Sequence, residues 1–265
     1  MKDKEVKRAV QTHFGRHAAK YVTSESHAKG DDLALLVNWL QPEPHWRVLD
    51  VATGGGHVAK KLAPRCAHVY ATDFTKNMLA AARDHLEQEL GDDRRGHVSY
   101  VVADAEALPF LDDAFDVVTC RIAAHHFPHP EHFAREVARV LKKGGAFLFI
   151  DNVAPEQQKL AAHMNEVERL RDHSHVRCLA VSEWQQLFAA YGLREEKAAL
   201  SKKTHVFPQW VARTAETAAQ RETVAQFILA AERDVRDYFS VTVENGSVTS
   251  LQIDEWRTLY RKKEG

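Results

Sequence analysis

The sequence predicts an α/β protein built on a doubly wound, mostly parallel sheet. Two patterns carry the prediction. Between residues 42 and 153, short apolar runs alternate with stretches of helical period, as in successive βαβ units. The runs are apolar at neighbouring positions, as in strands covered on both faces. With 265 residues and 45% hydrophobic content, the chain can fill one large core or two small ones.

In chain order, Val6 to Tyr21 and Asp31 to Leu40 predict two amphipathic helices, the second stopped before Pro42. WRVLDVA predicts the first strand, and HVAKKLA a helix beyond a glycine turn. AHVYATD predicts the second strand. The helix after it, TKNMLAAARDHLEQEL, has Thr75 as N-cap. VSYVVAD and FDVVTCR are the third and fourth strands. EHFAREVARVL is a helix with Pro130 at its start and Glu131 in its first turn. GGAFLFIDN is the fifth strand. Past Asn152 the alternation loosens. Glu156 to Arg171 predicts a helix. Ser182 opens another, with Gln185 completing a capping box and Gly192 as its stop. LREEKAALSKKTHVF can hold a strand, and Pro208 to Arg236 is mostly helical. Asn245-Gly246 between β-rich runs predicts a hairpin, with the chain end returning to the sheet as an antiparallel edge. No linker divides the chain. We expect one domain over 1–265, with a cofactor-binding core at about 42–153 and substrate-side helices and edge strands at about 154–265.

Charge and cysteine usage narrow the partners. The net charge of −1 offers no sign of a nucleic-acid partner, which calls for a basic face. Cys66, Cys120 and Cys178 lie far apart with no paired framework, which favours a reducing compartment. The N-terminus is too polar for a signal peptide, and no apolar run approaches the roughly 20 residues needed to span a bilayer. The expectation is a soluble, cytoplasmic protein with no membrane partner, its oligomeric state open.

VLDVATGGGHVAKK is the most informative stretch. A strand runs directly into Gly54-Gly55-Gly56 and then a helix. Glycines there allow a tight turn and let a ligand approach the main chain. Asp73 ends the second strand about 20 residues on, where an acid accepts from ribose hydroxyls. Both NAD and S-adenosylmethionine carry that ribose. Three features favour S-adenosylmethionine. Asp50 stands before the turn, where a carboxylate suits a cationic amino group better than a pyrophosphate. Asp104 ends the third strand, placed to accept from an adenine amino group, with the Ala105 amide beside it. No tyrosine has a lysine four residues later, so the short-chain dehydrogenase pair is absent.

These stretches, with FDVVTCRIAAHHF and VLKKGGAFLFIDN, resemble the successive motifs of class I S-adenosylmethionine-dependent methyltransferases. In particular they resemble the ubiquinone/menaquinone C-methyltransferase type and uncharacterised bacterial small-molecule relatives, over about residues 14–155. RDHSHVR and the terminal hairpin resemble the uncharacterised relatives. The resemblance implies a seven-stranded Rossmann-like sheet with N-terminal helices and a C-terminal β-hairpin. It implies S-adenosyl-L-methionine as cofactor and a small-molecule acceptor, aromatic or quinone-like. By position, Asp50 and the turn Ala52, Thr53, Gly54 and Gly55 would hold the methionine part. Asp73 would hold the ribose, Phe74 and Met78 the nucleoside, and Asp104 and Ala105 the adenine. Arg121 lies where the family places a further cofactor contact. HFGRHAAKYV is similar to the family's lid, with Phe14 and Tyr21 as its aromatics. One departure is Ala52, which replaces the first glycine of the family's turn. Three rivals remain: a non-catalytic binder of the cofactor or its product, a nucleic-acid methyltransferase, and a nicotinamide-dependent dehydrogenase. The second lacks its Asn/Asp-Pro-Pro-aromatic motif, since CRIAAHHFP stands there.

Four histidines crowd residues 120–133: His125, His126, His129 and His132. Ligands of such a sheet bind beyond the carboxyl ends of the strands, which puts Ile122 to Pro128 beside the reacting methyl. His125 and His126 are the catalytic candidates, as base or substrate contact, with a purely structural role as the alternative. Adjacent histidines seldom converge on one ion, so no metal is expected. His129 and His132 are expected to point elsewhere. Phe127, Asn152 and the RLRDHSHVR cluster, chiefly Arg171 and His175, are candidates for the substrate wall.

Overall fold

The computed structural model describes residues 5–8, 10–12, 14–15, 31–91 and 97–264. Residues 5–8, 10–12 and 14–15 are helical, and the rest of the first predicted helix, Tyr21 included, lies outside the described residues. Helix α1 (Asp31–Leu40) precedes β1 (Arg47–Val51), α2 (His57–Leu62), β2 (His68–Asp73), α3 (Lys76–Glu89) and β3 (Val98–Val102). Then come β4 (Phe115–Arg121), a short 3₁₀ turn (Ala124–His126), α4 (Pro130–Val140) and β5 (Leu141–Asn152). The last part holds α5 (Gln158–Arg171), α6 (Val181–Ala190), β6 (Leu193–Val206), α7 (Phe207–Val211), α8 (Ala218–Leu229), α9 (Arg233–Tyr238), β7 (Thr242–Glu244) and β8 (Ser247–Lys262).

The sheet runs β3-β2-β1-β4-β5-β8-β6, with β7 paired to β8 off that path. The first five strands are parallel, and β8 is antiparallel to both β5 and β6. The seven strands expected are therefore present, and the first arm of the terminal hairpin adds an eighth. Asn245 (φ 49°) and Gly246 (φ 76°) both take positive φ, as a two-residue type I′ turn demands.

Three local expectations are corrected. The chain end does not form the edge: β8 lies inside the sheet and β6 is the outer strand. Burial explains the order, since β8 carries Trp256, Leu259 and Tyr260 in the core while β6 alternates exposed charges such as Glu196 and Lys202, which suit an edge. Helix α6 begins one residue early and is capped by Glu183, whose carboxylate accepts the Ala180 amide at 2.9 Å. Ser182 instead donates its hydroxyl to Glu156 at 2.6 Å. Likewise Thr75 occupies the N-cap position of α3 without a side-chain cap.

The core has a layer on each sheet face. Phe133, Phe147, Phe149, Trp184 and Phe188 pack on one side, and Leu36, Leu62, Leu148 and Ile150 on the other. Residues 147 to 150 alternate between the layers, as the pleat requires. Each such buried side chain contributes about 1.5–3 kcal/mol of hydrophobic stabilisation, which is what holds the strand ends in place. Among the described residues no helix is long and apolar enough to cross a membrane.

Candidate active site

Five parallel strands end at one rim. There the chain sets Asp50 on β1, Asp73 on β2, Asp104 just past β3, Arg121 on β4, and Asp151 and Asn152 on β5. A cavity opens between these ends and the N-terminal helical residues. Its lining includes Phe14, Asp50, Ala52, Thr53, Gly54, Gly55, Asp73, Phe74, Met78 and Arg121.

The glycine turn shapes its floor. Gly54 takes φ +55°, and a Cβ built there meets no protein atom within 4 Å, so a side chain would enter the cavity. Gly56 differs: its Cβ would come within 2.8 Å of Leu86 Cδ1, a packing constraint against α3. Ala52 also takes a left-handed φ of 53°. An alanine in place of the family's glycine holds this conformation at a cost of about 1–2 kcal/mol.

The acids are held by neutral donors. Asp73 accepts the Gly54 amide on Oδ2 at 3.2 Å and the Thr75 amide on Oδ1 at 2.9 Å. Burial pushes its carboxyl up to about 6, against those two bonds. Asp50 accepts the hydroxyls of Thr53 and Thr119 at 2.6 and 2.7 Å, and burial likewise raises it to about 6. Arg121 forms a buried ion pair with Asp32 of α1, while its Nη2 is buried without a hydrogen-bond partner. Ile122, next in sequence, has φ 53°. That is a strained conformation for a β-branched residue, of the kind held only where surrounding structure enforces it.

Asp104 and Ala105 line a smaller adjoining compartment that shares Ala52, Phe74 and Phe127 with the first cavity. Lys7 reaches both Asp104 and Glu106 at 2.6 Å. This tie brings the N-terminal helical residues across the cleft, where Gln11 also donates to the Phe74 carbonyl at 3.3 Å.

A second cavity lies on the other side of Phe14, Ile122 and His126, which line both. It contains His125, Asn152, Arg171, Asp172, Lys203, His205, Trp210, Arg213 and Thr214. Phe14 stands edge-to-face on His126, ring centroids 5.0 Å apart. His125 Nδ1 is 2.7 Å from Asp151 Oδ1, and its backbone amide donates to Asp151 Oδ2 at 3.1 Å. Burial pulls the His125 pKa down, but the Asp151 charge and hydrogen bond outweigh it and leave the imidazole above its usual value. Its neighbour behaves oppositely. Burial, with His125 beside it, drops His126 to about 3, so His126 stays neutral, its Nδ1 2.9 Å from the Ser174 carbonyl.

Three substrate candidates sit differently from expectation. Phe127 lines the first cavity and the smaller compartment, not the second cavity. Arg171 lines the second cavity, but its guanidinium is engaged with Glu168 at 2.6 Å, Thr214 at 3.0 Å and the Trp210 carbonyl, and it lies over the Trp210 ring. It braces the wall. His175 lines neither cavity: its Nε2 faces Asn165 Oδ1 at 3.0 Å, and burial lowers it to about 4. His129 and His132 gather at the surface around Glu131, the three offering ligand atoms within 4.8 Å of one another. They belong to neither cavity.

Sequence reasoning missed Asp32, Asp151, Lys203, His205, Trp210 and Arg213. Asp151 was within reach, because an acid at the carboxyl end of a strand was the signal used for Asp50 and Asp73. Lys203 and His205 stand two apart on β6, hence on one face. Nothing local marks Arg213 or Asp32.

This rim, with four acids at its strand ends and an antiparallel strand inserted before the sheet edge, is the architecture of a class I methyltransferase. The chain belongs to the methyltransferase family. A family model described as a methyltransferase domain matches residues 49–149. The "Uncharacterized methyltransferase YcgJ" of Bacillus subtilis is 36% identical over 91% of this chain and 94% of its own length. The crystal structure of BH2331 from Bacillus halodurans is similar at a TM-score of 0.84, with 39% identity over 88% of this chain and all of that one. A UbiE ubiquinone/menaquinone C-methyltransferase from Bartonella henselae is 36% identical over 44% of this chain and 45% of its own length.

Proposed function

We propose that this protein transfers the methyl group of S-adenosylmethionine to a small molecule bound in the second cavity. The junction carries the reading: Phe14, Ile122 and His126 line both cavities, so ligands in the two would meet there. The first cavity suits the cofactor. Each Asp73 oxygen holds one amide and keeps acceptor capacity for a ribose hydroxyl. The buried, unpartnered Arg121 Nη2 suits a carboxylate. The open face of Gly54 admits a ligand against the main chain. Phe74 and Met78 offer apolar contact to a nucleoside, and the Asp104–Ala105 compartment extends the cleft for an adenine.

S-adenosylmethionine, when bound, supplies an electrophilic methyl on a cationic sulfur. The protein's own work is to position the acceptor and exclude water. An acceptor arriving as a phenol, enol or amine must also lose a proton. His125 is the base: Asp151 on Nδ1 fixes the tautomer and leaves Nε2 as the basic nitrogen. An aromatic or quinone-like acceptor is supported by the relatives' names and by the Phe14 and Trp210 rings in the cavity. The cytoplasm, and a single functional unit over 1–265, complete the reading.

Titration calorimetry and label transfer test it. S-adenosylhomocysteine should bind and NAD should not. Methyl-labelled S-adenosylmethionine incubated with protein and a metabolite extract should yield a labelled small molecule. Binding without any transfer would favour a non-catalytic sensor.

A further inference from the structure

The second cavity has a charge arrangement that its position in the fold does not require. Among the described residues three cations line it, from α5, β6 and the turn after α7: Arg171, Lys203 and Arg213. The acids that hold two of them stand behind the wall. Glu168, paired with Arg171, is 3% exposed, and Glu255, 2.7 Å from Lys203, is fully buried; neither lines the cavity. Among the described residues the single carboxylate in the lining is Asp172, which accepts the Ser174 amide and hydroxyl at 2.8 and 2.5 Å. The cationic residues therefore line the cavity, while the acids paired with Arg171 and Lys203 do not. His205 adds a second sign of a polar occupant: its Nε2 is buried in this wall without a hydrogen-bond partner.

We propose that the acceptor is a small molecule bearing a carboxylate, held by Lys203 and Arg213 while its nucleophilic atom faces His125. The proposal rests on the methyltransferase reading above and narrows it. Lys203 carries three donors, of which Glu255 takes one, so the ammonium can hold an anion without leaving its buried partner. Arg213 and Lys203 come from segments ten residues apart and converge on one wall. Arg171, with its donors committed to protein partners, fixes Trp210 and Thr214 in that wall. A long apolar tail, as on a membrane quinone, finds no matching groove here: the apolar lining among the described residues is Phe14, Ile122 and Trp210. The acceptor is accordingly a water-soluble ring acid in preference to a lipid.

The test uses full-length protein saturated with S-adenosylhomocysteine. Hydroxybenzoates and the matching hydroxybenzamides, which differ in charge and little in shape, are titrated by ligand-observed NMR. At least one carboxylate should bind roughly 10-fold or more tightly than its amide, the value of a charge-assisted hydrogen bond. That preference should vanish in Lys203→Met and Arg213→Met, while S-adenosylhomocysteine affinity, measured on the same samples, stays within about twofold and reports that the variants are folded. Equal binding of acid and amide, no binding of either class at 10 mM (about the weakest useful affinity), or a preference that survives both substitutions would overturn the proposal. Failure of S-adenosylhomocysteine to bind wild-type protein would instead overturn the cofactor reading beneath it.

Discussion

Replacing Asp151 with Asn tests the catalytic assignment most directly, because it removes a charge and leaves the shape. Asp151 is 1% exposed and receives three groups: the His125 ring at 2.7 Å, the His125 amide at 3.1 Å and the Asn152 amide at 2.8 Å. A charge-assisted hydrogen bond contributes about 1.5–3 kcal/mol, and one pKa unit corresponds to about 1.36 kcal/mol. The His125 imidazole should therefore titrate at lower pH in Asp151→Asn. The carboxamide also presents an NH₂ to one of three donors, so the ring loses its enforced tautomer. Turnover of an acceptor that must be deprotonated should drop by roughly 10²–10⁴. NMR titration of the imidazole reads the first effect without knowledge of the acceptor. Methyl transfer against pH reads the second, with the rise in rate displaced to lower pH. Asp151 does not line the cofactor cavity, so S-adenosylhomocysteine affinity should hold within about twofold. An unchanged His125 titration, or full turnover in the folded variant, refutes the dyad. His125→Ala should lose turnover over the same range, and its full retention would leave the histidine a structural part of the loop.

Other outcomes follow from the first cavity. Gly54→Val should abolish cofactor binding: its side chain enters the cavity, and the left-handed φ adds a stability cost of about 1–3 kcal/mol, readable by thermal unfolding. Asp73→Ala should weaken S-adenosylhomocysteine by on the order of 10- to 100-fold in calorimetry, and unchanged affinity would remove Asp73 from the site. Asp50 and Asp73, both raised to about 6 by burial, give a pH signature. A carboxyl whose folded pKa exceeds its unfolded value binds protons on folding, so the free protein loses stability as pH rises from about 4 to about 6. The cofactor needs the ionised form. Its affinity should fall below pH 6, and its binding there should release protons, measured by calorimetry in buffers of different ionisation enthalpy. His129→Ala and His132→Ala should leave turnover within about twofold, since neither residue reaches a cavity.

By itself, the sequence determined the sheet's central strands, the glycine turn and the carboxylates at its mouth. All are local: strand periodicity, turn chemistry and the acid that ends a strand are written in runs of a few residues. It also marked Asn245-Gly246 as a hairpin, because two positive φ angles in a row admit few other residues. It could not decide which late strand lies inside the sheet. That depends on which of β6 and β8 has more apolar surface to bury, a comparison between segments whose paired residues lie 44 to 69 positions apart. The basic side of the second cavity was decided by tertiary structure, although His125, Asn152 and Arg171 of its lining were legible in the sequence. Lys203 and Arg213 read as surface charges until β6 and the turn after α7 bring them to one wall. Likewise His125 and Asp151, 26 residues apart, meet because β4 and β5 are neighbours in register and end together. A side chain's chemistry is set by its sequence, but its pKa and its partners are set by what the fold packs against it. That is why His125 and His126, adjacent in the chain, are shifted in opposite directions.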